Sequence, residues 1–107
     1  MPHYLGCFRY SPESIKAMVS NPQDRSEAAR EATESLGGKL LGFWFAFGEF
    51  DGVFIAEAPD NATAAAIAMA VGGTGALSTL QTTVLIGMDE AQEAMRKASG
   101  ATYRPPS

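Results

Sequence analysis

Five residues near the middle of the chain, Gly48-Glu49-Phe50-Asp51-Gly52, constrain the fold more than any other feature. They separate two apolar runs, Lys39–Phe47 (KLLGFWFAF) and Val53–Glu57 (VFIAE), both short and rich in aromatic and β-branched residues. Glycine at both ends and an Asp-Gly step are hairpin chemistry, with room for a bulge. The two runs therefore read as antiparallel neighbours, strands two and three.

On either side of this hairpin the chain repeats one pattern, an extended run joined to a helix. His3–Tyr10 (HYLGCFRY), bounded by Pro2 and Pro12, reads as strand one. Ser11-Pro12-Glu13 opens a helix: a capping hydroxyl, a proline at the first helical position and an acid at the positive end of the dipole. Ile15, Met18 and Val19 share one of its faces. Asn21-Pro22 interrupts it and is expected to cap a second segment running to Ser35, with Ala28, Ala32 and Leu36 on one face. Gly37-Gly38 ends that segment. After strand three, Asp60 is expected to cap a helix whose apolar stripe is Ala64, Ile67, Ala68 and Val71, stopped by Gly72-Gly73-Thr74-Gly75. Leu77–Gly87 reads as strand four. Asp89, with Gln92 three residues on, is expected to cap a last helix bearing Ala91, Ala94, Met95 and Ala98. The order strand-helix-strand-strand-helix-strand is the ferredoxin-like βαββαβ pattern, an α+β fold, here with an extra C-terminal helix. Right-handed crossovers place both main helices on one face of a four-stranded antiparallel sheet and leave the other face open.

Composition narrows the function. At 107 residues one domain is expected, over residues 1–100, followed by a tail over 101–107. Apolar residues are 46% of the chain and charged residues 19%, which excludes whole-chain disorder. No uncharged apolar run reaches the ~20 residues of a membrane span. The start, Met1-Pro2-His3-Tyr4, shows no basic-then-apolar leader, so a cytoplasmic location and no membrane partner are expected. The net charge of −4 and the scattering of the eight basic residues argue against a nucleic-acid partner. Cys7 is the only cysteine and His3 the only histidine, so neither a disulfide nor a metal site is expected, and no cofactor.

Alternation assigns Leu5, Cys7, Val53, Ile55, Leu80, Val84 and Ile86 to the helix-facing side. Tyr4, Phe8, Tyr10, Phe54, Thr79, Gln81 and Thr83 then fall on the open face. Strand two is apolar on both phases, so either Trp44 or the Phe43, Phe45 and Phe47 set joins them. Aromatic side chains on this face would present on the order of 600–1,500 Å², against ~300–600 Å² for the largest patch of a typical monomer. A second copy of the chain covering the sheet is therefore expected, giving a homo-oligomer.

Several blocks in order carry a family resemblance: Tyr4-Leu5, Arg9-Tyr10-Ser11-Pro12-Glu13, Leu36-Gly37-Gly38-Lys39-Leu40, Gly48-Glu49-Phe50-Asp51 and Glu57-Ala58-Pro59-Asp60-Asn61. Over roughly residues 2–98 the chain resembles the GYD domain family of small bacterial and archaeal proteins. Phe50 stands where the family's naming motif has tyrosine. The family is similar to the dimeric α/β barrel proteins, so the resemblance implies two ferredoxin-like sheets packed face to face. It implies no established activity.

The candidate site residues follow. Tyr4, Phe8, Tyr10, Trp44, Phe54 and Gln81 are the candidates to line an apolar cavity with a few polar groups, the usual form of a small-molecule site. Glu49 and Asp51, with Tyr10, are the catalytic candidates: paired acids whose pKa values proximity or burial would separate. Their competing role is turn chemistry. His3 reads as a chain-end surface residue rather than a haem or metal ligand, and Cys7 as a small buried hydrophobe. Gly72-Gly73-Thr74-Gly75 follows a helix instead of preceding one, so it reads as a cap and turn, not a phosphate loop. Three functions stay open. The first is a small apolar or aromatic molecule bound at the paired sheet faces. The second is a cofactor-free enzyme on a small organic substrate using Glu49 or Asp51 with Tyr4 or Tyr10. The third is a structural or regulatory assembly module.

Overall fold

Prolines and glycines punctuate the chain where the sequence places them, and the elements between are eight. The computed structural model describes all residues, Met1–Ser107. The elements are β1 (His3–Tyr10), α1 (Pro12–Ser20), α2 (Ser26–Ser35), β2 (Lys39–Phe45), β3 (Gly52–Glu57), α3 (Asn61–Gly72), β4 (Leu77–Leu85) and α4 (Met88–Ala98). The strands form one antiparallel sheet in the order β2-β3-β1-β4. This is the ferredoxin-like arrangement, with the first and third strands central.

Local chemistry explains most boundaries. The Ser11 hydroxyl accepts the Ser14 N–H and caps α1, and the Asp60 carboxylate accepts the Thr63 N–H at 2.8 Å and caps α3. Gly37 takes a left-handed φ of 87° after α2, the conformation a glycine adopts without strain. Five boundaries differ from expectation. β3 starts at Gly52 instead of Val53, and β4 ends at Leu85 instead of Gly87. α2 starts at Ser26, not Pro22. Asn21 instead closes α1 through its backbone N–H to the Ala17 carbonyl, and the Asp24 carboxylate binds the Ser26 N–H and hydroxyl at 2.9 and 2.6 Å. β2 stops at Phe45, two residues short of Phe47, because the Ala46 N–H turns to the Asp51 carbonyl. α4 starts at Met88 behind Gly87, so Asp89 lies inside the helix and does not cap it.

The two faces of the sheet are also exchanged for β1 and β3. Tyr4 and Phe8 are each 3% exposed and lie beneath α2 and α3 with Phe54, Leu80 and Thr82. Cross-strand partners share a face: Tyr4 with Ala56 and Val84, Gly6 with Phe54, Phe8 with Gly52 and Leu80. The open face therefore carries Leu5, Cys7, Val53, Ile55, Gln81 and Thr83. The physical reason is area. The aromatic phase of β1 removes more apolar surface from water than Leu5 and Cys7 would, and Gly6 and Gly52 make room for it. A Cβ on Gly6 would collide with the Phe54 ring, and one on Gly52 with the Phe8 ring. In β2 a register shift between Leu40 and Gly42 turns both Leu40 and Phe43 to the helices. Trp44, opposite Val53, is left on the open face, 54% exposed.

The core that results is thin. Only nine residues are buried, and the accessible surface is 7419 Å². A compact monomer of this mass exposes about 5,700 Å². The radius of gyration is 17.2 Å, against about 13 Å for a compact chain of this length. Much of the difference is α4 and the irregular residues after it, which stand away from the sheet.

Candidate functional site

The helix side of the sheet holds an open-mouthed cavity of about 290 Å³. Its floor is Tyr4, Phe8, Tyr10, Phe43, Phe54 and Leu80, and its walls are Ala28, Ala29 and Ala32 of α2 and Ala64, Ile67, Ala68 and Val71 of α3. The cavity follows from side-chain size. The strands contribute large rings at alternate positions, whereas the helices present mostly methyl groups, which cannot reach far enough to fill the layer between. Hydrophobic residues are 19 of the 24 that line it.

The rings form a continuous cluster. Phe8 lies edge-on to Tyr10 at 5.2 Å and tilted against Phe43 and Phe54 at 5.6 and 6.1 Å, and Tyr10 stacks on Phe45 at 6.3 Å. Polar groups are few. The Tyr4 hydroxyl donates to Asn61 Oδ1 at 2.7 Å, which ties the floor to the first residue of α3. Tyr10 is half-buried, and burial pushes its phenol above the ordinary value of 10; the Asp51 carboxylate adds to the rise and the Arg25 guanidinium opposes it. Arg25, at the start of α2, joins the lining beside Tyr10.

Of the six sequence candidates for the ligand site, Tyr4, Phe8, Tyr10 and Phe54 line this one cavity, on the helix side instead of the open face. Trp44 and Gln81 lie on the other face and take no part in it; the Trp44 ring lies over the Gly42 backbone. The acid pair lies at the hairpin, outside this lining. The Asp51 carboxylate accepts the Tyr10 backbone N–H at 2.9 Å, while the Asp51 N–H donates to the Phe8 carbonyl at 2.8 Å, so Asp51 fastens the hairpin to β1. Glu49 contributes its backbone carbonyl to Arg9, whose guanidinium also lies 5.8 Å from the Phe50 ring centre. Neither acid lines the cavity. His3 pairs with Glu57 at 3.2 Å, and Cys7 is half-buried on the open face, not under the helices. No three His, Cys, Asp or Glu side chains gather where they could hold a metal ion. Thr74, in the glycine-rich run, folds back onto the Val71 carbonyl at 2.7 Å and ends α3. Sequence reasoning missed Arg25, Phe43, Asn61 and the alanine walls. The alanine density over residues 62–70 was the available signal, read against the aromatic phase of β1.

Comparisons with known proteins agree with this fold. The pattern of the GYD domain family matches residues 4–95. TTHA0845 from Thermus thermophilus superposes with a TM-score of 0.54 at 14% identity, over 81% of this chain and 95% of that one. FFRP-DM1 superposes with a TM-score of 0.51 at 11% identity, over 80% of this chain and all of that one. At these identities the likeness is one of fold alone. No curated protein matches the chain.

Proposed function

The chain belongs to the GYD domain family, and from that premise we propose that it binds a small, largely apolar molecule between its sheet and helices α2 and α3. The observation that carries this reading is the unfilled volume of about 290 Å³ between an aromatic floor and alanine walls. Protein interiors pack with few voids larger than a water molecule. For scale, an apolar cavity of about 150 Å³ accommodates benzene, so this one suits a molecule of one or two rings. The few polar groups, among them the Tyr10 hydroxyl and Arg25, would orient the ligand. Glu49 and Asp51 stand outside the cavity, which favours binding over acid–base catalysis. Native mass spectrometry of freshly purified protein, then denaturation of the same sample, tests the reading. The wild-type chain is expected to release an organic molecule. Ala68→Leu, which fills the wall, is expected to keep the circular dichroism spectrum and release nothing. A wild-type chain that carries no organic mass, and is stabilised by none of a panel of one- and two-ring aromatic compounds, would overturn it. Ligand at a hundred times its Kd would stabilise the fold by about 2.7 kcal/mol.

A second observation supports self-association through the open sheet face. Leu5, Cys7, Val53 and Ile55 form an apolar strip there beside the exposed Trp44, with no helix above them. The face is less aromatic than the sequence suggests, but it is not the polar surface that a solvated sheet carries.

A further inference from the structure

Helix α4 is the element the fold leaves without a companion. It stands clear of the sheet and of the other helices, and all of its 11 residues except Ala91 are exposed. Met88 is 71% and Met95 62% exposed. A lone helix shorter than ~12–15 residues is marginal in water. No side chain caps this one at its start.

The pattern on α4 specifies the kind of companion. Met88, Ala91, Met95 and Ala98 follow one another at spacings of three, four and three. That is the a/d seam of a heptad, a narrow stripe suited to one other helix rather than to a sheet. The seam is complementary to its own reverse. With two copies antiparallel and centred on Glu93, each methionine faces an alanine: Met88 meets Ala98 of the partner subunit, and Met95 meets Ala91 of the partner subunit. Large-against-small pairing fills such a seam without voids. The residues flanking it, Gln92 and Ala94, carry no charge to repel their counterparts. Charge selects the same direction. Asp89 and Glu90 occupy the first turn and Arg96 and Lys97 the last, so reversal sets the acidic end of each helix beside the basic end of the other. It also opposes the two macrodipoles.

We propose that α4 is a dimerisation helix that pairs antiparallel, across a two-fold axis, with α4 of a second copy of this chain. The pairing does not rest on the cavity or on the sheet face, and its test separates it from both.

The test uses the full chain. Sedimentation measures the association of wild type, Met95→Leu and Met95→Glu. Met95→Leu is expected to associate as wild type does. Met95→Glu is expected to raise the dissociation constant by at least about tenfold, since it buries an unpaired carboxylate in the seam. Circular dichroism serves as the check on folding. A disulfide test stands beside it in a Cys7→Ser background. Ala94→Cys, flanking the seam, is expected to cross-link two chains on mild oxidation, and Glu93→Cys, on the outer side of α4, is not. A monomeric wild type, wild-type association of Met95→Glu, or equal cross-linking by the two cysteine variants would each overturn the proposal.

Discussion

At the scale of single residues, Tyr10 joins the hairpin to the cavity. Its backbone N–H binds Asp51, its ring packs on Phe8 and Phe45, and it lines the cavity together with Arg25. Burial raises its pKa above that of the unfolded chain, where tyrosine ionises near pH ~10. The sign follows from linkage. Between the unfolded and folded values the native state holds a proton that the unfolded state has lost, so stability is full below pH ~10 and falls as pH rises through the folded pKa. Tyr10→Phe is expected to lose less stability than wild type across this alkaline window, read from urea unfolding at successive pH values. Parallel losses in the two proteins would mean that the phenol is not desolvated. Tyr10 was legible as a site residue, but the basic residue that shares its lining was not. Arg25 lies in a polar stretch whose helix start was misplaced by four residues.

At the scale of elements, caps and register carry the structure. The Ser11 hydroxyl caps α1, and its backbone N–H reaches the Ala76 carbonyl at 2.9 Å, while the Ser14 hydroxyl reaches the same carbonyl at 2.8 Å. The start of α1 is thereby tied to the entry of β4. Ser11→Ala is expected to cost about 1–2 kcal/mol, seen as a lower urea midpoint with an unchanged m-value. Asn21→Ala, at a residue that closes α1 through its backbone alone, is expected to change little and serves as the control. The Ser11 and Asp60 caps were legible because capping is a contact between residues three apart. The start of α2 was not. Asn21-Pro22 offers helix-start chemistry, yet the helix begins at Ser26, whose N–H and hydroxyl both bond the Asp24 carboxylate.

At the scale of the whole molecule, the thin core, the half-buried apolar strip on the open sheet face and the free α4 are the features that the proposed self-association rests on. Ile55→Asp places a carboxylate in the centre of the open face without touching the cavity or α4. It is expected to weaken self-association in sedimentation while leaving the helix content unchanged. Wild-type association in that variant would remove the sheet face from the assembly.

The element order was written in the sequence, and with it the ferredoxin-like topology, because periodicity, caps and turn residues act over a few positions and need no knowledge of the rest of the chain. So was family membership, since the motif blocks keep their order and spacing. Which face of β1 and β3 meets the helices was decided only in three dimensions. Both phases of β1 are apolar, and parity along one strand cannot choose between them. The choice came from cross-strand neighbours: Gly6 opposite Phe54, Gly52 opposite Phe8, and the register shift that turns Leu40 and Phe43 inward together. The cavity is a product of the same step, because the mismatch between aromatic rings and alanine methyls exists only once sheet and helices are stacked.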